Sequence, residues 1–318
     1  MKENPSILYL VLPCYNEEAV LPLSIDSLTS FIQQEIQAGN ISPHSRALFV
    51  NDGSTDKSWD IISDNHKINP FICGINLAAN VGHQNALLAG METAKDLADV
   101  IVTLDADLQD DITKIPEMLD LFKQGCDIVY GVKVERKADS FFKRTSAKLY
   151  YRLMNSLGVK TVNNHADFRL MSKRAVEQLF QYQERNLYLR GIIPLLGYKT
   201  GTVYEELRPR AAGESKYTLR KMINLAVNGI TSFSIKPPRL VTGLGIIFLL
   251  LSVVILIYVI ISLIRGVAVS GWSSLILSLW FIGGCILLGL GIIGEYVGRI
   301  YLEVKNRPRY SIESRLLE

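Results

Sequence analysis

Cysteine is scarce in this chain. Cys14, Cys73, Cys126 and Cys285 are the whole complement, and no two form a Cys-x-x-Cys pair. That scatter excludes a thiolate zinc site or a disulfide framework and fits reduced thiols in cytosol. Histidine is as thin: His44, His66, His83 and His165 have no metal-ligand spacing. Gly-x-x-x-x-Gly-Lys-Ser is missing, and no Gly-x-Gly-x-x-Gly follows any of the short strand-like apolar runs, so neither an ATPase phosphate loop nor a dehydrogenase fingerprint is present. The net charge is only +3, which argues against a nucleic-acid partner. Residues 1–13 hold too short an apolar run for a signal peptide and no cleavage site, so the polar part is expected in the cytoplasm.

What is abundant is apolar. Hydrophobic residues make up 48% of the 318, and the excess lies near the C-terminus, so the average hides a soluble part and a membrane part. Leu240 to Ile264 runs without a charge for the length of a bilayer span, and Ser274 to Gly294 supplies a second. Gly283, Gly284, Gly289, Gly291 and Gly294 would allow the two to approach closely. Lys236 and Arg239 precede the first span; Arg299, Lys305, Arg307 and Arg309 follow the second. The positive-inside bias places both ends in the cytoplasm.

Ahead of the spans, strands and helices alternate. Short apolar runs at Ile7–Leu12, Ala47–Val50, Phe71–Leu77, Val100–Leu104 and Asp127–Tyr130 are each separated by a helical stretch. A doubly wound, mostly parallel α/β sheet follows. Polar clusters at Tyr15–Glu17, Asp52, Asn80 and Asp105–Gln109 all come after strand carboxyl ends, the edge where open α/β sheets bind ligands.

The sharpest cluster is Asp105-Ala106-Asp107-Leu108-Gln109-Asp110-Asp111. On an extended strand end Asp105 and Asp107 would point the same way and need a cation between them. Oxygen ligands of this kind suit Mg²⁺ or Mn²⁺ bridging to substrate phosphates. The same residues equally suit an acidic turn, with Asp110 and Asp111 capping the next helix. Two basic amphipathic stretches, Ser140–Leu157 and Lys216–Phe233, are expected to lie in a membrane interface. Ala166-Asp167-Phe168-Arg169-Leu170-Met171 lies between them, with Asp167 read as a turn or helix-approach residue, and Lys199–Glu206 as an edge strand. Arg208 to Lys216 is a polar loop with cations at both ends, suited to closing over phosphates.

A metal between carboxylates, basic clamps and a membrane outlet together suit transfer of a sugar from a nucleotide diphosphate to a lipid phosphate. Such an acceptor has a second pKa of about 6 and is already anionic near neutrality, so it needs no strong base.

Pro13-Cys14-Tyr15-Asn16-Glu17, Asn51-Asp52-Gly53-Ser54, Asp105-Ala106-Asp107-Leu108-Gln109, Gly213-Glu214-Ser215-Lys216 and Gly294-Glu295-Tyr296-Val297-Gly298-Arg299 resemble the family 2 glycosyltransferases, and within them the polyprenyl-phosphate glycosyltransferases. The resemblance covers nearly the whole chain. It implies a GT-A fold, inversion at the anomeric carbon and Mg²⁺ or Mn²⁺. Position by position, it implies that Pro13, Tyr15, Glu17 and Asp52 hold base and ribose, that Asp105 contacts the nucleotide, and that Asp107 and Gln109 ligate the metal. Arg210 and Lys216 would grip the diphosphate, and Arg136 with Lys143 or Arg144 the acceptor phosphate. Asp167 falls where some members have a proposed base. The Gln-x-x-Arg-Trp motif of processive synthases is missing, which favours transfer of a single sugar.

The expected organisation is a GT-A core over 1–139, an acceptor part over 140–236, two spans over 237–298 and a cytoplasmic tail over 299–318. The expected activity is inverting transfer of one hexose, UDP-glucose ranking before UDP-N-acetylglucosamine and GDP-mannose as donor, to undecaprenyl phosphate at the inner membrane. Expected partners are the nucleotide sugar, the polyprenyl phosphate lipid, the membrane, further copies of the chain (a tetramer by resemblance), a flippase and a second glycosyltransferase, and no nucleic acid. Rival readings are transfer to a protein or diacylglycerol hydroxyl, which would need a base such as Asp167, and a noncatalytic membrane subunit.

Overall fold

The structure, a computed structural model, describes residues 5–107, 109–134, 165–184, 189–206 and 271–317, together with Val241, Ile247, Leu250, Val254, Ile257, Ile261, Ile264 and Arg265. The candidate interfacial helices, the 208–216 loop, Arg136, Lys143, Arg144, Arg210 and Lys216 lie outside the described residues.

The first strand, β1 (Leu8–Cys14), is buried along its whole length. Leu8, Leu10 and Leu12 enter one apolar cluster while Tyr9 and Val11 enter another, as the period of two requires for a strand covered on both faces. Each buried leucine contributes roughly 1.5–3 kcal/mol of transfer free energy. Helix α1 (Leu21–Gln37) buries Leu21, Ile25, Leu28 and Ile32, one stripe at helical spacing, and starts with a proline in its first turn. Then come β2 (Arg46–Asn51), α2 (Ser58–Ile68), β3 (Ile72–Leu77), α3 (His83–Ala94) and β4 (Val100–Thr103). Gly90 lets α3 lie tightly on the sheet, since a Cβ there would stand 2.4 Å from Val11 Cγ1 and 2.8 Å from Val50 Cγ2. A 3₁₀ turn (Ile112–Lys114) leads into α4 (Ile115–Lys123), followed by β5 (Ile128–Val134).

The next strand was not expected. Residues 165–172, within which Asp167 was read from sequence as a turn or helix-approach residue, form β6 (His165–Ser172), which runs antiparallel between β4 and β5. It leads into α5 (Lys173–Leu179), then α6 (Leu189–Ile192) and a 3₁₀ turn (Ile193–Leu196). The expected edge strand is present as β7 (Thr200–Glu206), parallel to β5 and at the end of the sheet.

The eight strands are ordered β7-β5-β6-β4-β1-β2-β3-β8, with six running one way and β6 and β8 opposed. This mostly parallel, two-faced sheet is GT-A-like. Its polarity decides what can meet: the carboxyl ends of β1 to β5 and β7 share one edge, and reversed β6 brings its amino end, with Asp167, to that same edge.

Helix α7 (Trp272–Val304) does not stop at Gly294, where the second span was expected to end. No proline interrupts it, and it ends where Asn306 takes φ 42° ahead of Pro308. Phe281–Val304 is the one helix among the described residues long and apolar enough to cross a membrane, and it is almost wholly unburied. Of the first expected span only isolated residues are described. Ile247, Leu250, Val254, Ile257, Ile261 and Ile264 are helical and exposed. A Cβ on Gly289 would stand 3.0 Å from Val241, a close approach between the two segments. After α7, Ile312–Leu316 forms β8 on the edge of β3, so residues placed in a tail complete the sheet.

Candidate functional site

The first two strand-end loops are laced together. The Asn16 backbone N–H donates to Ser54 Oγ at 3.0 Å and the Glu17 N–H to Ser58 Oγ at 3.0 Å, while the Thr55 N–H returns a bond to Asn16 Oδ1 at 2.8 Å. Asn16 takes φ 53°, a left-handed turn that asparagine tolerates. Pro13 is buried at the end of β1. The β1–β4 ladder stops at Val11 and Thr103, so its missing N–H leaves no ladder bond unmade. Tyr15 stands exposed above it and Glu17 is half-buried.

Asp52 is buried, and both of its carboxylate oxygens accept backbone bonds from the next loop, Oδ1 from the Val81 N–H at 2.7 Å and Oδ2 from the Gly82 N–H at 3.0 Å. Burial pushes its carboxyl up from the ordinary value, against those two bonds. Gly53, at φ 62°, is required there, since a Cβ would come within 2.6 Å of Ala79 and Asn80 backbone. Asp52 thus anchors the β3–α3 loop and sets His83 at the start of α3.

Beyond Thr103 the chain leaves the strand sooner than expected, and Asp105 to Asp107 turn instead of continuing the pleat. Ser24 Oγ on α1 holds the Ala106 carbonyl at 2.6 Å. Asp107 Oδ1 accepts the Gln109 N–H at 3.2 Å, so those two residues form one local unit. Asp111 caps the 3₁₀ turn through the Thr113 N–H. Asp110 does not cap it. Its Oδ2 accepts the Asp105 N–H at 2.9 Å and its Oδ1 lies 2.9 Å from Lys133 Nζ on β5.

Asp167, on β6, reaches the same edge. Its carboxylate pairs with Arg169, which is fully buried, with Arg190 at 3.1 Å and with His83 Nε2 at 3.3 Å. His83 Nε2 also lies 3.8 Å from Asp105 Oδ1. Although burial opposes it, the His83 bond and the two guanidinium groups hold Asp167 well below the usual carboxylate range. Asp105 is the reverse case: burial first, then the neighbouring Asp110, raises it to about 6. The structure therefore brings Asp105, Asp107, Gln109 and Asp167 to one edge with Pro13, Tyr15, Glu17 and Asp52.

Residues 9–180 match the model of the glycosyl transferase family 2. The chain belongs to that family. An uncharacterized glycosyltransferase of Bacillus subtilis (strain 168), YkoT, is 49% identical over 98% of this chain and 93% of its own length. The SfII prophage-derived bactoprenol glucosyl transferase of Shigella flexneri is 38% identical, with 96% of each chain covered. The prophage bactoprenol glucosyl transferase homolog of Escherichia coli (strain K12) is 36% identical over 96% of this chain and 97% of its own.

For a family 2 glycosyltransferase the edge holds residues that motif spacing missed: His83, Lys133, Arg169, Arg190 and Glu205. His83 falls inside the polar cluster that follows β3. The alternation of Asp167 and Arg169 was a signal too, because residues two apart on a strand share a face.

Among the described residues no three His, Cys, Asp or Glu side chains form a closed metal site. Asp107 and Gln109 offer oxygen donors alone. A hard divalent ion held by one or two protein oxygens and completed by substrate phosphates needs no more. The donor set fits Mg²⁺ or Mn²⁺.

Proposed function

We propose that the protein transfers one hexose from a nucleotide diphosphate sugar, UDP-glucose first among donors, to a polyprenyl phosphate at the cytoplasmic face of the inner membrane, with inversion. The observation that carries this reading is the sheet edge: an oxygen-only pair, Asp107 and Gln109, stands at the same edge as Pro13, Tyr15, Glu17 and Asp52 in a chain 36–38% identical over nearly its full length to proteins named bactoprenol glucosyl transferase or its homolog.

In this reading Tyr15, Glu17, Pro13 and the remaining lone pairs of Asp52 receive base and ribose, and Asp105 orients the nucleotide. Asp107 and Gln109 hold Mg²⁺ or Mn²⁺, which when bound neutralises charge developing on the departing diphosphate. Arg210 and Lys216 close on that diphosphate, while Arg136 with Lys143 or Arg144 seats the acceptor phosphate. Because that phosphate arrives as an anion, Asp167 can serve as an anchor instead of a base. The exposed apolar face of α7 is matched to lipid, and with the 240–264 stretch it makes two spans with both ends cytoplasmic. Association into a tetramer and work alongside a flippase and a second glycosyltransferase belong to the same reading.

The test is a donor screen on the full-length protein in detergent, with undecaprenyl phosphate, Mg²⁺ or Mn²⁺, and UDP-glucose, UDP-N-acetylglucosamine or GDP-mannose. A lipid-linked sugar is expected from one donor and none from Asp107→Ala. No product from any donor, or equal product when diacylglycerol replaces the lipid phosphate, overturns it.

A further inference from the structure

Three side chains far apart in sequence converge beneath the acidic loop. Lys133 and Glu205 stand opposite one another in the register of β5 and β7. Lys133 Nζ lies 2.9 Å from Asp110 Oδ1, and the side chains of Lys133 and Asp110 are 18% and 1% exposed. Asp110 Oδ2 accepts the backbone N–H of Asp105, and Glu205 Oε2 accepts the backbone N–H of Asp111, each at 2.9 Å. The two ends of the loop are thus each held by a buried carboxylate, with Lys133 between them. Buried carboxylates without a counter-charge are costly, so these contacts are not incidental turn chemistry.

We infer that Lys133, Asp110 and Glu205 are positioning residues: they clamp the ends of the 105–111 loop and so fix the site that Asp105, Asp107 and Gln109 offer to the donor. The clamp deepens the proposed function and rests on it for its purpose, but not for its existence. Supporting it, burial lowers Lys133, but Asp110, Glu205 and Asp105 together raise it above its ordinary value, so it stays charged. Glu205 Oε1 has no hydrogen-bond partner among the described residues, so Glu205 acts through Oε2 on the loop.

The test is amide hydrogen exchange across residues 104–112 in the full-length protein, wild type against Lys133→Met and Glu205→Ala, with calorimetric binding of UDP in Mn²⁺ alongside. In both variants exchange at the Asp105 and Asp111 amides should rise by on the order of tenfold, the size expected for a lost buried hydrogen bond. UDP affinity should weaken by about tenfold, and Glu205→Gln, which keeps an acceptor oxygen, should restore both. If Lys133→Met does not fold, Lys133→Met with Asp110→Asn removes the stranded charge while keeping an acceptor oxygen on the side-chain amide; exchange should then rise less than in Glu205→Ala. Unchanged loop exchange in folded Glu205→Ala overturns the clamp whatever UDP does. Raised exchange in a protein that never binds any nucleotide leaves the clamp standing and sinks the functional reading.

Discussion

Asp167 and Asp105 lie at one sheet edge and share His83, yet their surroundings are opposite. Asp167 faces two arginines and a histidine, one of the arginines fully buried, and is held ionised. Asp105 shares its neighbourhood with Asp107, Asp110 and Asp167, and is raised to about 6. The first cluster has its counter-charges; the second is short of them. An acid held far below neutrality is a poor proton acceptor, so the first neighbourhood is built to hold shape. The second is where an added cation would be most stabilising.

The strongest way to break this contrast is at the undersupplied cluster. Asp107→Ala should lower sugar transfer by about a thousandfold, the scale on which lost electrostatic stabilisation of a developing charge is felt, with little change in melting temperature. A radiolabelled-sugar assay and a thermal melt read both. Near-normal transfer would remove the metal from the argument.

At the saturated cluster the expected effect falls on stability. Asp167→Ala strands the buried guanidinium of Arg169, and breaking such a pair costs about 3–5 kcal/mol. That corresponds to a drop of roughly 10 °C in melting temperature for a domain of this size. A variant that melts normally but loses transfer, with the basic limb of its pH profile altered, would return Asp167 to the role of base.

The contrast also shows what the sequence could reveal. Strands β1 to β4 and their loops were legible because each is a local pattern, an apolar run ending in Asn-Asp-Gly-Ser or Asp-Ala-Asp. The edge position of β7 was legible for the same reason. Strand β6 was not: Ala166-Asp167-Phe168-Arg169 alternates polar and apolar, but its polar face is buried against partners from distant segments. Arg169 looks like a surface residue until Asp167 neutralises it. Lys133 and Glu205 gain meaning only from the β5–β7 register, which no local pattern states. The C-terminal strand was hidden by its charges, since an edge strand needs only one paired side.

A smaller effect sharpens the undersupplied side. Burial, with Asp110 and Asp111 nearby and Lys133 opposing, raises Glu205 from 4.5 to about 7. A carboxyl whose folded value is raised contributes fully below 4.5, and that contribution is lost as pH rises to about 7. Melting temperature in wild type should therefore fall across that window relative to Glu205→Gln, which carries no charge to titrate. Parallel curves would show that Glu205 ionises in the fold as it does in water.

The smallest effect tests the residue that touches both clusters. Burial lowers His83, but its bond to Asp167 and the charges of Asp167 and Asp105 outweigh it, so its value is raised. A raised histidine stabilises fully below its unfolded value, and that contribution disappears as pH rises through the folded one. With its side chain 43% exposed, the contribution is screened and should stay below about 1 kcal/mol. His83→Gln should therefore melt lower than wild type at acidic pH and converge with it in mildly alkaline buffer. A gap of constant size across the series would mean that His83 is held by packing alone; a gap that closes means that the carboxylates beside it favour its protonated form in the fold.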